Sequence, residues 1–142
     1  MRHLIASHEL EDNFYVVDLG ALHRLHAAWT AALPRVQPHY AVKCNPDLAI
    51  LAALAALGAG FDCASEAELA AVLGLGVAPE RIVFANPCKR PRDIRAAAAR
   101  GVTLSTFDTE AELAKLARWH PVGAAAAAAA AAGPGGGSRL PT

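Results

Sequence analysis

Tyr40-Ala41-Val42-Lys43-Cys44-Asn45 is the stretch on which the fold turns. An apolar, extended run meets a lysine, and Asn45-Pro46 then opens a new element. An ammonium at the end of a buried strand is costly unless it is paired or used chemically. An amine so placed can lose its proton and attack a carbonyl carbon. A lysine that carries its charge out of the strand end into water satisfies the same pattern. The hexapeptide alone leaves both readings open.

The surrounding sequence supplies a rhythm. Residues 40–43 read as a strand, and Asn45-Pro46 read as N-cap and first helical residue. A helix with Leu48, Leu51 and Leu54 follows, and Gly58 closes it. Phe61-Asp62-Cys63 is the next strand, and Ser65-Glu66-Ala67-Glu68 has the spacing of a capping box. Ile82-Val83-Phe84-Ala85 is a third strand, with a helix over about 92–100 behind it. Leu104-Ser105-Thr106-Phe107 is a fourth, and Asp108-Thr109 caps a helix over 110–119. Strands therefore begin near 40, 61, 82 and 104, a period of about 21 residues. Strand–helix alternation at that spacing predicts parallel βα units, in a doubly wound sheet or a barrel. No G-x-G-x-x-G follows the first strand, and each strand ends in polar residues. Those ends would converge on the mouth of a barrel, where sites lie.

Upstream, Phe14-Tyr15-Val16-Val17-Asp18 is β-branched and aromatic and reads as a strand. Leu22, Leu25, His26, Trp29 and Leu33 then mark one face of a helix that Pro34 ends. After Pro121 the chain becomes nine alanines (124–132) and a Gly-Pro-rich end, a composition that predicts disorder. The expected organisation is a polar segment over 1–12, a partial (β/α) barrel of about four units over 13–121, and a low-complexity tail over 122–142. This is an α/β fold, the first half of a (β/α)8 TIM-like barrel, truncated, with two open parallel edges.

The 142 residues carry 13 basic and 13 acidic side chains, a balance that argues against nucleic acid and acidic membrane surfaces. Three cysteines without a C-x-x-C pair predict neither a disulfide framework nor a metal site. The N-terminus lacks the apolar core of a signal peptide, and no apolar run is long enough to cross a membrane. A cytoplasmic protein is expected.

Four stretches occur in one order: the hexapeptide at 40–45; Gly60-Phe61-Asp62-Cys63-Ala64-Ser65 with Glu68; Ala85-Asn86-Pro87-Cys88-Lys89; and Thr106-Phe107-Asp108. Together they resemble the eukaryotic ornithine decarboxylases, pyridoxal-phosphate enzymes of the alanine-racemase-like barrel class, over about residues 13–121. The resemblance implies that Lys43 is the catalytic lysine and holds pyridoxal 5'-phosphate as a Schiff base. It implies decarboxylation of L-ornithine to putrescine in polyamine synthesis, with Asp62 and Glu68 beside the cofactor. Asp62 is also placed to cap a helix, and Glu68 is the N3 partner of Ser65, so each has a structural reading as well. Asn86 and Asp108 read as caps, the cysteines as packing residues, and Lys89 as a surface cation.

The family's phosphate loop, ring-stacking histidine, pyridine-nitrogen carboxylate and C-terminal β-domain have no counterpart in these 142 residues. The expected turnover of the chain by itself is therefore negligible. The resemblance also implies a small amino-acid substrate, a homodimer, and antizyme as a partner through about residues 91–114. The alternative is a non-catalytic regulator resembling antizyme inhibitor.

Overall fold

The structure, a computed structural model, describes residues 13–122. The expected polar segment over 1–12 and all but the first residue of the expected tail lie outside the described residues. Helix α1 spans Leu19–Ala32. Four βα units follow: β1 (His39–Ala41) and α2 (Leu48–Ala56); β2 (Gly60–Cys63) and α3 (Glu66–Gly74); β3 (Ile82–Phe84) and α4 (Pro91–Ala99); β4 (Leu104–Ser105) and α5 (Glu110–Trp119).

All strand pairs are parallel and the order is β1-β2-β3-β4. That order separates the two sheet types left open by the period. Right-handed crossovers that always step to the same side place every connecting helix on one face of the sheet, whereas a doubly wound sheet reverses direction. The register agrees. Phe61, Ile82, Cys63 and Phe84 stand on one face and are buried in one cluster with Ile50, Leu51, Leu54, Leu69, Val72 and Ala97 of the helices. Ala41, Asp62, Val83 and Leu104 form the row between them on the other face, and none is fully buried. Four parallel strands with helices outside and one face bare are the first half of a (β/α)8 barrel.

Local chemistry fixes each unit's ends. Asp47, Ser65 and Thr109 accept hydrogen bonds from backbone N–H groups in the first turns of α2, α3 and α5. At the other end of α2, Gly58 takes φ +88°, and Ala59 N–H reaches back to Leu54 O at 3.1 Å. The Arg81 guanidinium covers two more carbonyls there, Ala55 O at 2.9 Å and Ala59 O at 2.6 Å. Ile94 and Leu116 form a second small core between α4 and α5, flanked by Phe107 and Trp119.

Three expectations are corrected. Residues 14–18 form no strand: none of them pairs with a described strand, and Tyr15 is 95% exposed. The strand expected over 40–43 ends at Ala41, and Val42–Cys44 turns in a 3-10 helix. The N-cap of α2 is Asp47; Asn45 instead accepts the Asp47 N–H through Oδ1 at 3.0 Å, forming a turn before the helix.

The asymmetry of the two sheet faces makes a testable contrast. Phe61→Ala removes a fully buried ring from the helix side and is expected to cost about 3–5 kcal/mol in denaturant unfolding. Leu104→Ala, on the bare side where Leu104 is 42% exposed, is expected to cost under about 1 kcal/mol. Comparable losses from both would contradict the one-sided core.

Candidate functional site at the strand ends

The C-terminal ends of the four strands bring the sequence-selected residues to one rim. Lys43 sits in the 3-10 turn just past β1 and is exposed. Asp62 lies in β2, opposite Ala41 in the register, half-buried on the bare face. Lys43 is thus two residues beyond the position facing Asp62, on the neighbouring strand. No described residue hydrogen-bonds the Lys43 amine or the Asp62 carboxylate. Asp62 therefore caps nothing, because Ser65 caps α3.

Glu68 follows the capping-box logic with one displacement. Its backbone N–H donates to Ser65 Oγ at 3.3 Å, while its carboxylate accepts the Ala64 N–H at 2.6 Å. Cys63 feels both acids. Burial, then the negative charges of Glu68 and Asp62, push its thiol up to about 12, so it is an apolar packing group and not a nucleophile. Tyr40 braces the turn that presents Lys43: its hydroxyl donates to Asn45 O at 3.3 Å. Burial and a hydrogen bond with Cys44 raise the Tyr40 phenol above its ordinary range.

The largest departure from the sequence reading is Lys89, which is buried, 2% exposed, and not a surface cation. Its Nζ donates to Thr106 O at 2.5 Å, lies 3.5 Å from Glu112 Oε1, and stands 5.5 Å from the centroid of the Phe84 ring. Its backbone N–H also donates to Glu112 Oε1 at 3.0 Å. Lys115 Nζ completes the group, donating to Lys89 O at 2.6 Å and pairing with Glu112 Oε2 at 2.5 Å. Burial draws the Lys89 ammonium below its usual range, against the opposing pull of Glu112. Burial alone would raise the Glu112 carboxyl; the hydrogen bonds from Lys115 and Lys89 N–H, with both ammonium charges, hold it below the ordinary value. The pairing of Lys89 with Glu112 spans a loop and a helix 23 residues apart, so no short motif could show it.

A cofactor with an aldehyde fits part of this rim. The exposed amine of Lys43 and the neighbouring carboxylate of Asp62 are both left without partners by the described chain. Toward a phosphate, side chains of Asp47, Ser65 and Thr109 already cap the N-termini of α2, α3 and α5, whereas that of α4 has no side-chain cap. A cavity of about 210 Å³, lined by Leu22, Leu25, His26, Trp29, His39 and Tyr40 among others, lies beside the opening residues of β1, and Lys43 is not in its lining. Among the described residues no cluster of three or more His, Cys, Asp or Glu could hold a metal, and no helix is long and apolar enough to cross a membrane.

Comparison with known proteins agrees with the fold. The family described as pyridoxal-dependent decarboxylase, pyridoxal binding domain, matches residues 19–130. Ornithine decarboxylase of Rattus norvegicus is 56% identical over 117 residues, covering 82% of this chain and 25% of the relative. Antizyme inhibitor 2 of Xenopus laevis is 52% identical over 117 residues, covering 82% of this chain and 26% of the relative. Among solved structures, the arginine decarboxylase of Paramecium bursaria Chlorella virus superposes with a TM-score of 0.83 at 39% identity, over 85% of this chain and 33% of that one. The chain spans about a quarter of the length of the curated relatives it matches.

The buried group gives a pH signature. Because the folded Glu112 carboxyl lies below its unfolded value, its stabilisation is complete above that unfolded value, near 4.5, and is lost as pH falls through the folded one. Glu112→Gln is expected to flatten stability across that acid window. Glu112→Ala, which strands the Lys89 ammonium, is expected to cost about 3–5 kcal/mol at neutral pH. Both are read from urea midpoints at several pH values, and an acid limb unchanged in Glu112→Gln would contradict the assignment.

Proposed function

The chain belongs to the pyridoxal-dependent decarboxylase family, and on that premise we propose that it is the lysine-bearing half-barrel of an ornithine decarboxylase. The observation that carries the reading is Lys43, an exposed amine with no partner among the described residues, on the rim where the parallel strands end. The high identity to ornithine decarboxylases supports ornithine as the amino acid and putrescine as the product.

In this reading Lys43 Nζ is the nucleophile that would hold pyridoxal 5'-phosphate through its aldehyde carbon. Bound there, the cofactor supplies the electron sink for the carbanion that remains when carbon dioxide leaves. Asp62, one strand over, sets a negative charge on the bare face. Glu68 adds a second negative charge while its carboxylate holds the Ala64 N–H.

The proposed setting is the cytoplasm, supported by three cysteines that form no disulfide. Antizyme is the proposed macromolecular partner. The similarity to an antizyme inhibitor supports it, as does the basic face of α4 and α5, where exposed Arg95 and Arg118 stack on Trp119 at 4.7 and 4.8 Å. The same similarity favours the second reading, a non-catalytic regulator. Lys43, exposed on the rim, favours the enzyme.

Protein purified from its native cells is expected to release labelled carbon dioxide from carboxyl-labelled ornithine faster than from arginine or lysine. Lys43→Ala is expected to lower that release at least about 10³-fold. Antizyme binding without any release would establish the regulator instead.

A further inference from the structure

The β2–β3 ladder ends with Ala85 N–H donating to Cys63 O at 2.9 Å. The next carbonyl along the chain, Ala64 O, lies past the end of β2 and is outside the ladder. Asn86 takes over from the backbone there. Its Nδ2 donates to Ala64 O at 3.3 Å, and its Oδ1 accepts the Cys88 N–H at 3.2 Å. The two partners fix the amide's orientation, since a carbonyl can only accept and an N–H can only donate. The other side of the same residue is held as well, because Ala64 N–H donates to Glu68 Oε2 at 2.6 Å. Ala64 stands two residues from Asp62 and one from the Ser65 cap. Its peptide links are thus gripped by Asn86 on one side and Glu68 on the other.

We infer that Asn86 is a positioning residue for the two carboxylates of the rim: its amide locks the Ala64 carbonyl and so fixes where Asp62 and Glu68 stand relative to Lys43. Its function is set by reach. A shorter acceptor would keep the local turn through Cys88 N–H but would leave Ala64 O open to water. This assignment rests on the reading of Lys43 as the cofactor-holding amine, and Cys63 offers a reporter that does not depend on that reading. Cys63 lies between Asp62 and Ala64, buried and held unreactive by its surroundings. If the lock opens, water reaches its thiol first.

The test uses the 142-residue chain and Asn86→Ser, with Asn86→Thr in its place should the serine variant fail to fold. Both keep an oxygen for the Cys88 N–H and lose the reach to Ala64. Without cofactor, alkylation of Cys63 at pH 9, read by peptide mass and separate from exposed Cys44 and Cys88, is expected to rise about tenfold. An unchanged rate overturns the lock. With pyridoxal phosphate added, the pH midpoint of the absorbance of the Lys43 adduct is expected to fall by about half a unit or more in Asn86→Ser and in Asp62→Asn. The double variant is expected to shift by clearly less than the sum of the two single shifts, a non-additivity that general loosening would not produce. Additive shifts, or no shift, overturn the positioning role. No adduct at Lys43 in the unaltered chain overturns the cofactor reading itself, while the Cys63 rates still decide whether Asn86 holds the rim.

Discussion

Handedness is the constraint on which the rest of this structure depends. Each strand is followed by a helix and a parallel strand, and the order β1-β2-β3-β4 never reverses. Right-handed crossovers then leave the helices no choice of side. The apolar cluster of Phe61, Ile82, Cys63 and Phe84 forms where those helices pack, and the row of Ala41, Asp62, Val83 and Leu104 is left on the bare face. The same geometry gathers all four strand ends on one edge. A lysine and an aspartate about twenty residues apart in sequence become neighbours because they end adjacent strands, not because they belong to one motif.

The rim is held by the loop after β3. Asn86 ties that loop to the end of β2, and Lys89 ties it to the end of β4 and to α5. A buried ammonium is normally a liability, offset here by a carbonyl, a carboxylate and an aromatic face within reach. The contrast between the two S/T-x-x-E turns is instructive. Ser65 and Thr109 cap their helices alike, through the N–H of Glu68 and of Glu112. The carboxylates then part company. Glu68 returns to the local backbone at Ala64, whereas Glu112 turns to Lys89 and Lys115. One motif thus supplies a rim carboxylate in one unit and a structural counter-ion in another.

That difference marks the limit of what could be read in advance. The period of strands, the glycines that stop helices, and the Ser65 and Thr109 caps are local, so they were legible. Lys43 was legible because an amine after an apolar strand is chemically conspicuous, although the chain turns at Val42 and leaves it exposed rather than buried. Phe14-Tyr15-Val16-Val17 has every local property of a strand and forms none, since strand pairing is a tertiary choice and this segment pairs with no described strand. Lys89 and Asn86 act through partners 23 and 22 residues away, about one βα unit, and such pairs exist only once the units are stacked.

The central claim is that Lys43 is the amine of the rim that takes an aldehyde. Its most direct test is borohydride reduction of the chain with pyridoxal phosphate, followed by peptide mass mapping. The account predicts the reduced adduct on the peptide containing Lys43, well above that on Lys115 and absent from buried Lys89. An adduct spread over the exposed lysines, or missing from Lys43, would contradict it.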